Sequence, residues 1–298
     1  MHRVVIRNPA SGNWSRSLRA VQLARARGYE VRDTTAPGDA VEMARAAAAE
    51  GATRIVACGG DGTVNEVVWG VDEAGRTGDV ELGVVPTGTG NGFAEDVGVF
   101  GVRQAFEVLD RGETRRLDLG MAGSRPFLKT CVAGFPAGVS AHTTAAMKRA
   151  LGVAAYGLGA VPYALDALTE SDVEVFSDLS VRVGPASDPL WAGTALLVLV
   201  GNSRQFPGLV WRQAPLEDGL LEVVVVKRAA AFRGVRRTDD ATHRFETPHL
   251  LRVRSRELFV DAPRTLFSVD GEIQERASLD VGIRPRALRF RVGARYRP

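Results

Sequence analysis

The sequence predicts a parallel-sheet α/β domain followed by an antiparallel, β-rich domain, and three observations carry that expectation. In the first third, apolar runs of strand length alternate with amphipathic runs of helix length, separated by glycine-bearing turns. After Asp118 the texture changes to strand upon strand with one helical interruption. The chain has 298 residues, 45% hydrophobic and 24% charged, enough to build two cores of moderate size. Disorder, collagen and a disulfide-stapled miniprotein are excluded on the same grounds.

The elements follow in order. Arg3 to Arg7 is an apolar run ending in the turn Asn8-Pro9-Ala10-Ser11-Gly12. A helix comes next, with Leu18, Val21 and Ala24 on one face and Gly28 as its cap. Tyr29 to Asp33 reads as a strand, and Asp39 as the N-cap of an alanine-rich helix that stops at Gly51. Arg54 to Cys58 is the third strand, with a glycine loop and the helix Val64 to Val71 behind it. Leu82 to Pro86 is the fourth, entering a second glycine loop. Such alternation implies right-handed crossovers and a parallel sheet, whose ligands sit at the carboxyl ends of the strands. All three turn-forming loops fall at such ends.

The second part reads as strands at Phe127 to Ala133, Val173 to Val175, Leu179 to Val183, Ala195 to Asn202 and Leu220 to Val226. Further strands are expected at Leu250 to Arg254, Glu257 to Asp261 and Leu266 to Asp270, and a helical stretch at Ser140 to Leu168. The expected domains are 1–120 and 121–280.

Two distant cysteines, Cys58 and Cys131, make no disulfide framework and point to a reducing, cytoplasmic setting. The N-terminus lacks the apolar core of a signal peptide, and no apolar run is long enough to span a bilayer. The net charge of +3 hides an asymmetry: from Lys227 onward there are 17 basic and 9 acidic residues, leaving the remainder at −5. Arg228, Arg233, Arg236 and Arg237, with Phe232 and Val235, form a segment suited to an anionic lipid surface, the alternative being a solvated helix. Interleaved aromatics and nucleic-acid motifs are lacking there, so nucleic acid is not an expected partner.

Gly59-Gly60-Asp61-Gly62-Thr63 follows a strand and opens a helix. Glycines let successive backbone N–H groups turn inward as an anion nest, and the helix terminus adds partial positive charge. Asp61 would repel phosphate unless a divalent cation lay between them. Gly88-Thr89-Gly90-Asn91 has the same strand-to-helix setting, and Asn8 to Gly12 is the third such loop. Each alone is explained by a tight turn; three at one sheet edge point to a nucleotide. No lysine follows a glycine, which excludes a Walker A loop, and the spacing does not fit a dinucleotide fingerprint. GxSxG is absent, and the four histidines make no metal-ligand cluster with the cysteines.

NPASG at 8–12, GGDGTVNE at 59–66, PTGTGNGFA at 86–94 and DGE at 270–272 resemble the diacylglycerol kinase catalytic family, which also holds sphingosine and ceramide kinases. The resemblance implies an NAD-kinase-like first domain, a β-sandwich-like second domain, and a final segment, 281–298, that returns to the first. It places ATP in the cleft between them, held by Asn8, Pro9, Ala10, Ser11, Gly12, Gly59, Gly60, Asp61, Gly62, Thr63, Asn65, Glu66, Gly88, Thr89 and Asn91. Thr34 matches a further nucleotide-contacting threonine, with Thr35 as the competing alignment. Asp118 matches an acidic position of the metal network. Ala214 to Leu220 resembles a structural Mg²⁺ loop with Pro215, Asp218 and Leu220 as ligands, the alternative being a plain hairpin turn.

Three positions depart from the pattern: Asn13 and Gly92 stand where a basic and an acidic residue are common, and Pro136 where an Asp is common. The implied activity is Mg²⁺-dependent transfer from ATP to a lipid hydroxyl, diacylglycerol first. Asp61 organises the metal, and Asp270, ahead of Glu272, is the expected base. Another lipid alcohol or NAD as acceptor, and a catalytically inactive regulatory protein, are the alternatives. Lipid at a membrane surface is the expected partner, and a homodimer is compatible with the reading.

Overall fold

The computed structural model describes residues 2–12, 14–135, 178–203, 215–227, 244–247 and 250–298. The expected helix at 140–168, the strand at 173–175, the arginines of 228–237, His142, His243, His249, Ala214, Asn13 and Pro136 lie outside the described residues. Two compact units emerge. Unit 1 comprises Met1–Leu119, Leu216–Asp218 and Arg284–Pro298, and unit 2 comprises Gly120–Pro215 and Gly219–Ile283.

Unit 1 is built on β1 (Arg3–Arg7), β2 (Glu30–Asp33), β3 (Arg54–Gly59) and β4 (Glu81–Pro86). β1 lies parallel to both β2 and β3, and β3 lies parallel to β4, in the order β2-β1-β3-β4. The helices between them are α1 (Trp14–Arg25), α2 (Asp39–Ala49) and α3 (Asp61–Glu73), followed by the short α4 (Gly92–Asp96) and α5 (Val102–Arg111). Val4, Val5, Ile6, Ile55, Val56 and Leu82 fill the sheet, and the small Ala44 and Gly70 let α2 and α3 touch. A Cβ on Gly70 would lie 2.1 Å from the Val41 carbonyl oxygen, so glycine is required there.

Two local expectations need correction. Asp39 is not the N-cap of α2: Gly38 is, in the left-handed region at φ 87°. The Asp39 carboxylate instead accepts the N–H groups of Thr35 and Ala36 and the Thr35 hydroxyl, closing the turn that precedes the helix. α3 starts at Asp61 rather than Val64, so most of the glycine loop is the first turn of the helix.

The last strand, β14 (Glu272–Val292), ends in unit 1, where Arg289 and Phe290 pair parallel with Glu81 and Leu82 of β4. Arg284 reaches Asp72, Arg289 the Asp79 carbonyl, and Arg291 the carboxylate of Glu81. Phe290 packs edge-on against Phe93 at 5.3 Å. This strand was not legible in its arginine-rich sequence, and neither was β5 (Glu113–Ala122).

Unit 2 contains β6 (Arg125–Phe127), β7 (Thr130–Phe135), β8 (Leu179–Val183), β9 (Trp191–Gly201), β10 (Leu221–Lys227), β11 (Phe245–Glu246), β12 (Leu250–Ser255) and β13 (Glu257–Val269). Its pairings within the unit are antiparallel. β9 and β13 each pair with β8 along one half and with β7 along the other. The two strands expected at 257–261 and 266–270 are one, interrupted by a register shift between Asp261 and Thr265. Conversely, the strand expected at 127–133 is broken at Leu128 and Lys129. Phe127, Val181, Val223, Leu251 and Phe267 lie in the buried cluster of this unit.

Candidate active site

The three glycine loops of unit 1 leave the carboxyl ends of β1, β3 and β4 and meet. Backbone packs on backbone so closely that side chains are forbidden. A Cβ on Gly88 would lie 2.4 Å from Gly60 Cα, and one on Gly12 would lie 2.0 Å from the Thr87 carbonyl oxygen. Gly60 is similarly placed, 3.0 Å from the Gly90 carbonyl by the same measure. Their glycines are thus needed for loop-to-loop contact as well as for any ligand.

Polar side chains hold each loop in shape. Asn8 accepts the Ala10 N–H at 3.0 Å through its side chain, while its own N–H donates to the Cys58 carbonyl on the neighbouring strand. Its amide also reaches the Thr63 hydroxyl at 3.5 Å, joining the first loop to the second. Asn91 clasps Gly88 twice, accepting its N–H at 3.1 Å and donating to its carbonyl at 2.8 Å. Thr34 donates its N–H to the Arg7 carbonyl, which sets it beside Asn8 at the end of β1. The Thr35 hydroxyl donates to the Asp39 carboxylate. Pro9, Ala10, Ser11 and Thr89 lie on the same loops, Ala10 and Thr89 exposed.

Asp61 does more than the loop reading assigned to it. Its carboxylate accepts the N–H groups of Gly92 at 3.1 Å and Phe93 at 2.9 Å, the first turn of α4. It therefore links the second glycine loop to the third while offsetting the positive end of α4. Thr63 and Asn65 are buried, Glu66 is half-buried and Gly62 is exposed at the amino end of α3. A helix of 13 residues beginning at such an end offers N–H donors and partial positive charge to a phosphate.

In unit 2, Asp270 sits at the turn between β13 and β14 with φ 47°, unusual for a residue with a side chain. Its carboxylate accepts three main-chain N–H groups, from Leu128 at 2.7 Å, Lys129 at 2.9 Å and Thr130 at 2.8 Å. Those bonds are why the expected 127–133 strand breaks, and they occupy most of the lone pairs of the group. Glu272, two residues on, is 56% exposed and ion-paired with Arg125. The two base candidates are thus in different states: one fixed by three main-chain donors, the other exposed and paired with Arg125. Arg125 had no signal in the sequence.

Around the 215–220 loop, Glu217 makes two strong pairings. It binds Arg115 at 2.8 Å and accepts the Tyr296 hydroxyl at 2.9 Å. The buried Asp118 donates its N–H to the Leu216 carbonyl and accepts the Arg286 N–H, both at 2.7 Å. Asp218 is exposed beside Gly219, whose φ is 71°. Among the described residues no three His, Cys, Asp or Glu side chains cluster as metal ligands. One carboxylate with main-chain oxygens suits a hard cation such as Mg²⁺ and not zinc. Burial pushes the thiols of Cys58 and Cys131 up to about 12, which keeps both protonated and inert.

Comparison with known proteins follows the same division. Residues 2–122 match the diacylglycerol kinase catalytic domain, and residues 131–292 match the YegS C-terminal NAD kinase beta sandwich-like domain. A "Probable lipid kinase YegS-like" protein of Pseudomonas aeruginosa is 32% identical over 98% of this chain and 94% of its own length. The "Probable lipid kinase YegS" of Escherichia fergusonii is 27% identical over 97% and 95%. A solved structure titled as a diacylglycerol kinase from Bacillus anthracis superposes with a TM-score of 0.68 at 16% identity, covering 98% of this chain and 97% of that one. At that identity the likeness shows the two-domain fold. With the glycine loops placed and both halves matched at near full length, the chain belongs to the YegS-like lipid kinase family, a diacylglycerol kinase catalytic domain joined to a YegS-type C-terminal domain.

Proposed function

We propose that the chain transfers the γ-phosphoryl group of ATP to a lipid hydroxyl in a Mg²⁺-dependent reaction, with diacylglycerol as acceptor and phosphatidic acid as product. The observation that carries this reading is the convergence of three glycine loops at one end of a parallel sheet. Phosphoryl transfer asks for positioning and charge neutralisation more than covalent chemistry. Unit 1 supplies the positioning: the amino end of α3 faces the phosphates, with Asn8, Thr34, Thr63 and Asn91 keeping the loops in register. When bound, Mg²⁺ neutralises charge on the transferred group, organised by Asp61. Pro215, Asp218 and Leu220 would hold a second, structural ion. The DGE turn of unit 2 supplies the carboxylate that accepts the hydroxyl proton. Asp270 fixes the 128–130 segment, and Glu272 is the carboxylate with an open face.

The acceptor is nearly insoluble, so the reaction belongs at a membrane surface. Among the described residues no helix is long and apolar enough to cross one. The test is a panel of diacylglycerol, sphingosine, ceramide and NAD with labelled ATP, with and without Mg²⁺. Label in phosphatidic acid, lost with chelator, is expected. Label confined to another acceptor, or transfer indifferent to chelator, overturns the corresponding part.

A further inference from the structure

Unit 1 holds a cavity of about 500 Å³ on the flank of the third glycine loop, next to the proposed nucleotide cradle and sharing Asn91 with it. Its walls are the α1 side chains Arg16 and Arg19, Arg103 at the start of α5, Glu95, Phe100 and Asn91. Three arginines and one carboxylate thus line it, of which Arg16 and Glu95 already have partners. Arg19 and Arg103 engage no hydrogen bond or ion pair among the described residues. Both side chains are exposed, whereas Arg7, Arg27, Arg32, Arg54 and Arg76 of the same unit are each matched to a carboxylate.

The wall is shaped, not loose. Gln104 accepts the Phe100 N–H at 2.7 Å and donates to the Gly98 carbonyl at 3.0 Å, fixing the segment that carries Phe100. Phe100 is 52% exposed, and the Arg295 guanidinium lies 5.3 Å from its ring centre. Guanidinium forks match phosphate oxygens in pairs, and an aromatic rim tolerates the apolar remainder of a phosphate ester. Asn91 joins this wall to the nucleotide loop, because the same side chain clasps Gly88.

The geometry points to a second anion site: the cavity takes a phosphate group, as free phosphate or as the headgroup of an anionic phospholipid, and its occupancy tightens the Gly88–Asn91 loop. The coupling half rests on the reading of that loop as a nucleotide cradle; the binding half does not.

Calorimetry on the full chain with inorganic phosphate, and co-sedimentation with phosphatidylcholine vesicles with and without phosphatidic acid, test it. Wild type should bind one or both, more weakly as salt rises. Saturation by free phosphate assigns that source; binding only to phosphatidic acid vesicles assigns the lipid. Replacing Arg19 and Arg103 by Gln should weaken binding about tenfold or more for each arginine, with melting temperature and ATP affinity in phosphate-free buffer unchanged. Asn91→Ala should keep the anion bound but abolish its effect on ATP affinity. Three outcomes overturn the site: wild type binds neither probe, the double variant binds as well as wild type, or it loses ATP in step with phosphate. Anion binding without any ATP binding leaves the site standing and defeats the kinase reading.

Discussion

Gly88→Ala is the sharpest perturbation available to the candidate site. The new Cβ would lie 2.4 Å from Gly60 Cα and 2.7 Å from Gly60 N, both main-chain atoms that cannot swing aside. Carbon atoms pack comfortably at about 3.5–4.0 Å, so the two glycine loops must part by about 1 Å. Overpacking of this kind costs about 1–3 kcal/mol of stability. Displacing a positioning element by about 1 Å costs about 10²-fold in rate. Gly62→Ala is the matched control for stability: a Cβ there meets nothing within 4 Å and sits in α3, where alanine is better than glycine by about 0.5–1 kcal/mol. Thermal melts of the two variants should therefore move in opposite directions, and a fluorescent ATP analogue should bind Gly88→Ala far more weakly than wild type. A Gly88→Ala protein that melts and binds nucleotide like wild type would refute the view that these loops are held by glycine-to-glycine contact.

Four further outcomes follow from the geometry. Glu272→Gln should lower turnover by about 10²–10⁴-fold if it is the general base, with a smaller loss of melting temperature than Asp270→Asn, because it removes one ion pair with Arg125 where Asp270→Asn disturbs three N–H bonds. Asp61→Asn should loosen the link to α4 and cut the rate, so unchanged turnover with unchanged Mg²⁺ dependence would remove Asp61 from the mechanism. Burial pushes the Glu81 carboxyl up, but the Thr114 hydroxyl and the Arg54 and Arg291 guanidinia outweigh it and hold the group below its ordinary 4.5. Its folded-state stabilisation is therefore present above that pH and lost as pH falls through the lowered value; acid denaturation of Glu81→Gln should show less of this dependence. Asp218→Ala should lower the melting temperature and make it insensitive to chelator; a melt indifferent to chelator in wild type returns the loop to a plain turn.

The sequence by itself determined the features that live within a few residues. Alternation of apolar and helical periods made β1 to β4 and their helices legible, because each needs only its own residues to bury one face. The three glycine loops were legible for the same reason, since a strand end followed by Gly-Gly-Asp-Gly or Gly-Thr-Gly-Asn constrains its own backbone. What only the tertiary structure decided are the meetings between distant segments. Asp61 clasps an element 31 residues away and Asp270 one 140 residues away. β14 finds β4 although its run of arginines hides the strand period, and those arginines turn out to be its fasteners. Asp39 had the residue type of a helix cap, yet the turn before the helix competed for the same carboxylate and won. No short window contains the partner in any of these cases, and the free energy that selects the partner comes from packing and hydrogen bonds formed only once the chain has closed the loop between them.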